Sequence, residues 1–270
     1  VAFGTSAPEL LISIQAILDD APGLALGNVV GSNTANILMV LGIPALLATM
    51  HTSECNSRKT YVFMIAASVL FIGLAFRGVF DWISGAILLT ALAFVLGDAF
   101  RDAHLHRNAS KDEEEPEGAD PDLPLWRIMI FLVLGLVGLP LGADLLVDNA
   151  TIIAKQYGVS DVIIGLTLVA IGTSLPELAT TMMAALRRQA DVALGNVIGS
   201  NMFNLLAIIG ISSFVGSIPV DPEFLKLDLW VMLGASILLA PFVFFGLNIT
   251  RIWGVVLTAL YLAYMLLLLT

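Results

Sequence analysis

The sequence predicts an all-α integral membrane protein built from two inverted-topology repeats of about five transmembrane helices each. Three observations carry this. Of 270 residues, 58% are hydrophobic and 13% charged, with a mean hydropathy of +0.94; a soluble domain carries about 25% charged residues. Apolar runs recur near the ~20 residues that cross a hydrocarbon core of roughly 30 Å, too long and continuous for a barrel's alternating strands. Finally, residues 1–43 return, without a gap, as residues 169–211.

Taken in order, the expected spans are residues 2–18, 24–50, 61–76 and 79–100, then 125–154, 162–186, 192–217, 227–247 and 252–269. Between the two sets lies RDAHLHRNASKDEEEPEGADPDLP, residues 101–124. It is polar and proline-containing, with the composition of a solvated linker. Three regions follow: 1–100 as a first repeat half, 101–124 as an acidic cytoplasmic linker, and 125–270 as the second half. Because the chain opens inside the repeated motif, the first half lacks a counterpart to span 125–154. The repeat therefore predicts a missing first helix and start of the second, on the order of 40 residues.

The net charge of −10 is largely local, since Asp112, Glu113, Glu114, Glu115, Glu117, Asp120 and Asp122 share the linker. It describes a loop and points to no nucleic acid or obligate protein partner. The bilayer itself is the expected partner. The single cysteine, Cys55, excludes an intrachain disulfide and is assigned no role. His104 and His106 are explained by the solvated linker, and Asp144 and Asp148 by a position near the outer end of their span.

Sliding the chain by 168 residues superposes GTSAPEL on GTSLPEL and GNVVGSNTAN on GNVIGSNMFN. Shared apolar composition does not generate so many polar matches in register. The turn between the two repeated helices reads Asp19-Asp20 in the first copy and Arg187-Arg188 in the second. Basic residues favour the cytoplasmic side, so the copies cross in opposite senses. Arg58, Lys59, Arg101, Arg107, Lys111 and Arg251 fall inside on this scheme, and PVDPEF (219–224) outside; Arg77 is the exception. Inverted repeats are the plan of secondary transporters, with a site at mid-membrane where the repeats meet.

A carboxylate at mid-membrane costs roughly 2.5–3.5 kcal/mol on insertion scales. Glu9 and Glu177 are two such, and no Lys or Arg lies well inside a span to pair with them. Pro8 and Pro176 remove helix hydrogen-bond donors beside them, and Gly4 and Gly172 loosen the preceding turn. The broken helices are expected to expose the carbonyls of Ala2 and Ala170. If each helix persisted, Thr5 would share a face with Glu9, and Thr173 with Glu177. On the next helix, Ser32 and Asn36, and likewise Ser200 and Asn204, are i,i+4. Asn28, Asn33, Asn196 and Asn201 suit interhelical hydrogen bonding, and Gly27-x-x-x-Gly31 and Gly195-x-x-x-Gly199 close packing. The ligand inventory around Glu9, Glu177, Thr5, Ser6, Thr173, Ser174, Ser32, Ser200, Asn36 and Asn204 is all oxygen. Oxygen sets select hard cations such as Ca²⁺ and Na⁺ over zinc or copper. A hydrolase would need a nucleophile with a base or a metal set; Ser6 with Glu9 is conceivable, but no His is available. A channel usually forms around an assembly axis, whereas the internal repeat makes its site within one chain.

These paired motifs resemble the alpha-repeats of the sodium/calcium exchanger family, prokaryotic type, within the cation/calcium antiporter superfamily. The resemblance implies a ten-helix plan with residue 1 inside the second helix. It also implies Ca²⁺ and Na⁺ as transported ions rather than cofactors, no enzymatic activity, and a multi-pass inner (plasma) membrane location. By resemblance, Glu9 and Glu177 match the ion-binding glutamates. Thr5, Ser6, Thr173 and Ser174 match the ligands at the helix breaks, Ser32 and Ser200 the serines of the following helix, and Asn36 the first-repeat asparagine. Asn204 departs from the aspartate often found in the second repeat, which leaves H⁺-coupled or K⁺-assisted exchange open.

Overall fold

A chain in lipid must satisfy its backbone hydrogen bonds internally, and this one does so almost wholly with helices. The computed structural model describes residues 2–52, 55, 57–106, 124–127, 129–130, 133–134, 137–138, 141, 145, 149, 152 and 155–269. The first half comprises α1 (Ala2–Thr5), α2 (Ala7–Leu18), α3 (Pro22–Ala35), a π-turn at Asn36–Val40, α4 (Gly42–Leu47), α5 (Arg58–Ala75), β1 (Val79–Phe80) and α6 (Trp82–His106). From residue 161 the second comprises α7 (Asp161–Ile164), a π-turn at Gly165–Val169, α8 (Ala170–Thr173), α9 (Leu175–Leu186), α10 (Ala190–Phe203), a π-turn at Asn204–Ile208 and α11 (Ile209–Val215). It closes with β2 (Ile218–Pro219), α12 (Pro222–Lys226), α13 (Asp228–Leu238), α14 (Ala240–Phe244) and α15 (Arg251–Leu269).

Among the described residues, five helices are long and apolar enough to span a membrane. The pair Asp161–Thr173 and Leu175–Leu186, bent by 43°, makes a sixth, and Ala7–Leu18 and Asp228–Phe244 are shorter apolar helices. Each corresponds to an expected span. Span 125–154, with Asp144 and Asp148, lies largely outside the described residues, as does linker 107–123. The linker boundary shifts: α6 continues through His106 rather than ending at residue 100. Lys59 bridges Asp98 at 2.5 Å and Asp102 at 2.6 Å, one helical turn apart, which ties the extra turn to α5.

The repeated helices form the core. Within Pro22–Leu47 and Ala190–Val215, 89% and 78% of the apolar window is buried in the protein, against 17% for Trp82–Asp102 and 22% for Arg251–Leu268. Gly27 and Gly31 bring α3 backbone-to-backbone with the bent span. A Cβ on Gly27 would stand 2.7 Å from the Val162 carbonyl, one on Gly31 2.6 Å from that of Leu166, and one on Gly165 2.6 Å from that of Leu24. Among the described residues, a Cβ on Gly195 would meet nothing within 4 Å, so close packing like that at Gly27 is not seen there.

The two core spans run antiparallel. Gly216, just beyond α11, lies against Ile17 beside the turn from which α3 departs. Reciprocally, α4 packs on α9 and α11 on α2. Two short strand pairings repeat the relation: Phe80 pairs with Ile218, and Met50 with Ile249. A shift of 168 carries Met50 onto Ile218 and Phe80 to within one residue of Ile249. The turns match as well, with Asp20 at φ 57° and Arg188 at φ 60° closing equivalent helix ends. Arg77, the charge exception, is paired with Asp81 at 3.1 Å and donates to Ser84.

Candidate ion-binding site

Each repeat builds its share of the site from a helix break. Ser6 (φ −88°, ψ 8°) separates α1 from α2, and Ser174 (φ −80°, ψ 0°) separates α8 from α9. Pro8 and Pro176 then occupy the first turn of α2 and α9, where a missing N–H leaves no helical bond unmade. Glu9 and Glu177 follow in the same turns, at the helix ends that favour negative charge. Both are completely buried.

Because the helices break, Thr5 and Glu9 do not share a face. The hydroxyls cross between repeats instead: Thr5 lies by Glu177, and Thr173 by Glu9. Ser6 donates to Glu177 Oε1 at 3.0 Å, and Ser200 donates to the same oxygen at 3.4 Å. Glu9 is close enough to Glu177 for the two carboxylates to interact. Ser32 Oγ lies 3.2 Å from Thr173 Oγ1, which donates to Asn28 Oδ1 at 3.0 Å. The carbonyl of Ala170 accepts the Ser174 N–H at 3.1 Å and the Thr173 hydroxyl at 3.4 Å, so it is an acceptor in use within the break. Ala2 opens α1.

Asn36 and Asn204 each begin a π-turn, a feature periodicity did not announce. π-turns within α-helices concentrate at functional sites. Asn36 Nδ2 donates to Asn201 Oδ1 at 3.0 Å. Both oxygens of Glu9, Oε2 of Glu177, Oδ1 of Asn36, Oγ of Ser174 and both carboxamide atoms of Asn204 are buried without a hydrogen-bond partner. Among the described residues no Lys or Arg is buried. The ion pairs involve Lys59, Arg77 and Lys155, all partly exposed. A buried polar group without a partner is costly, and an unpaired buried charge more so. Two carboxylates amid oxygen donors form a site suited to a dehydrated hard cation.

Sequence reasoning left Asn28 and Asn201 between helix packing and the site. The structure places them against candidate ligands, Asn28 on Thr173 and Asn201 on Asn36. Their signal was present in the in-register polar matches, but a one-dimensional reading does not say which asparagines face the site.

Comparison with known proteins bears on this geometry. The sodium/calcium exchanger protein family model matches residues 1–97 and 127–270. The chain is 36% identical to "Putative antiporter CaxA" of Alkalimonas amylolytica, over 88% of this chain and 75% of that protein. It is 33% identical to "Sodium/calcium exchanger MaX1" of Methanosarcina acetivorans, over 98% and 85%. A solved structure of the sodium-calcium exchanger NCX_Mj, soaked with 2.5 mM Na⁺ and 0.1 mM Ca²⁺, superposes with a TM-score of 0.75 at 32% identity, over 97% of this chain and 82% of that one.

Proposed function

The chain belongs to the sodium/calcium exchanger protein family, a family of cation antiporters in the membrane, and on that premise we propose that it exchanges Ca²⁺ for Na⁺ by alternating access at a mid-membrane site formed by Glu9 and Glu177. One observation supports this above the rest. Two fully buried glutamates from opposite repeats meet with three of their four carboxylate oxygens unpartnered and no buried basic side chain, among the described residues, to neutralise them.

Two carboxylates match one Ca²⁺ in charge, and Ca²⁺ takes six to eight oxygens at about 2.3–2.6 Å. Thr5, Ser6, Ser32, Asn36, Thr173, Ser174, Ser200 and Asn204, with the carbonyls of Ala2 and Ala170, are the proposed further ligands. Na⁺ would use the same oxygens in alternation, so that bound Ca²⁺ and bound Na⁺ exclude each other and their fluxes couple. The ions are cargo; the reading calls for no cofactor and no enzymatic step. The residues that would carry it lie in an inner (plasma) membrane protein with the linker that follows α6 on the cytoplasmic side.

A second reading draws on Asn204. Its fully buried carboxamide supplies a neutral oxygen where an aspartate would add charge, which alters the charge available to the counter-ion and keeps an exchanger assisted by K⁺ or coupled to H⁺ as the alternative. Proteoliposomes separate the readings. An outward Na⁺ gradient is expected to drive ⁴⁵Ca²⁺ uptake that saturates and collapses when Na⁺ is equal on both sides. Uptake that ignores Na⁺ and follows a pH gradient would refute Na⁺ coupling, and uptake without a counter-ion or saturation would indicate a channel.

A further inference from the structure

We infer that Asn201 is a positioning residue that orients the carboxamide of Asn36 toward the cation; the inference rests on the proposed exchange function. The orientation follows from a relay that begins at a group of fixed polarity. The backbone carbonyl of Asn33 can only accept. Asn201 lies against it at 3.2 Å and must present its NH₂ there. That turns Asn201 Oδ1 toward Asn36, at 3.0 Å, and Asn36 must answer with its own NH₂. The Asn36 Oδ1 is thereby left facing away from Asn201, buried and without a partner. A flipped Asn36 would instead aim N–H donors at a cation. The relay spans both repeats, since Asn33 and Asn36 come from the first and Asn201 from the second, and all three are at most 1% exposed.

Shifted by 168 residues, the relay maps onto Asn33 and Asn204. That pairing is not made in the structure. Asn33 Nδ2 rests on Met232 Sδ at 3.8 Å, while Asn33 Oδ1 and both carboxamide atoms of Asn204 are unpartnered.

The test is a double-mutant cycle on the full chain in proteoliposomes, reading the Ca²⁺ concentration for half-maximal Na⁺-driven uptake separately from the maximal rate. Asn201→Ala is expected to raise the half-saturating Ca²⁺ about three- to tenfold, the worth of one hydrogen bond. Asn36→Ala is expected to raise it at least as much. The double variant should match Asn36→Ala alone, because Asn201 acts through it. Asn201→Leu preserves volume and takes the place of the alanine variant should that one fail to fold. Effects that multiply in the double variant, or an unchanged half-saturation in a folded Asn201 variant, would overturn the assignment. Wild-type protein with no Na⁺-driven uptake would instead remove the exchange reading, and this inference with it.

Discussion

Glu177 accepts hydrogen bonds from Ser6 and Ser200, whereas Glu9, its counterpart in the first repeat, accepts none. The counterpart donors do not serve it: Ser174 is unpartnered, and Ser32 turns to Thr173 and Asn28. The same inequality recurs. Asn28 Oδ1 accepts from Thr173 while Asn196 Oδ1 accepts nothing, and Asn201 Oδ1 accepts from Asn36 while Asn33 Oδ1 accepts nothing. Two copies that share these polar residues are thus bonded one-sidedly. Each buried unpartnered group costs about 1–3 kcal/mol, so the idle set calls for a use. A cation in the site, or a conformation in which the repeats exchange roles, would supply one.

Removing either carboxylate should produce the largest effect. Glu9→Gln and Glu177→Gln are each expected to lower Ca²⁺ uptake ~30-fold or more, the loss of one partner in a buried charged set being about 2–5 kcal/mol. Their effects on the ion-free protein should differ. Glu9→Gln neutralises a carboxylate with no partner and should raise the melting temperature. Glu177→Gln keeps an oxygen to accept from Ser6 and Ser200 but weakens both bonds by removing the charge, and should raise it less or lower it. Equal shifts would show that the two glutamates are equivalent in solution.

The serines sharpen the same contrast. Ser6→Ala removes a hydrogen bond to a carboxylate, worth about 1.5–3 kcal/mol, and should destabilise the ion-free protein. Ser174→Ala removes a hydroxyl that bonds nothing and should cost far less. Thermal unfolding without Ca²⁺ or Na⁺ measures the difference.

These contrasts mark how far the sequence could be read. Composition places the spans, and the 168-residue register identifies Glu9 and Glu177, because lipid tolerates few carboxylates. Which hydroxyl serves which glutamate was not legible. Thr5 is four residues from Glu9 yet lies by Glu177, a consequence of the break at Ser6 and the antiparallel packing of the copies. The π-turns at Asn36 and Asn204 likewise arise within tightly packed helices and have no periodic signature. The extension of α6 beyond residue 100 brings Asp102 against Lys59, a contact between residues distant in sequence.

Where the copies agree in backbone, smaller effects are expected. Arg188→Gly should stabilise by about 1 kcal/mol, since an L-residue in the left-handed region is strained, and Asp20→Gly by less, because aspartate tolerates that region. A gain at Asp20 equal to or above that at Arg188 would contradict this. The smallest effect belongs to Asp81, whose counterpart position holds Ile249, a residue that does not titrate. The Ser84 backbone N–H, chiefly, and the Arg77 side chain hold the Asp81 carboxyl at about 2, below its usual 3.8. A lowered folded pKa stabilises above the unfolded value and is lost as pH falls through the folded one. Hydrogen exchange at the start of α6 should therefore quicken between pH 4 and 2 relative to Asp81→Asn, while the Met50–Ile249 bridge shows no such difference between the two proteins.

The joint occupancy of one site by Glu9 and Glu177 is tested most directly by crystals of the protein soaked in Ca²⁺ or in the anomalous scatterer Sr²⁺. The account predicts one strong peak between the repeats, with an oxygen of each glutamate at a coordinating distance of about 2.3–2.6 Å for Ca²⁺. Carboxyl groups more than about 10 Å apart, beyond joint coordination, or a peak held by one glutamate alone, would contradict it.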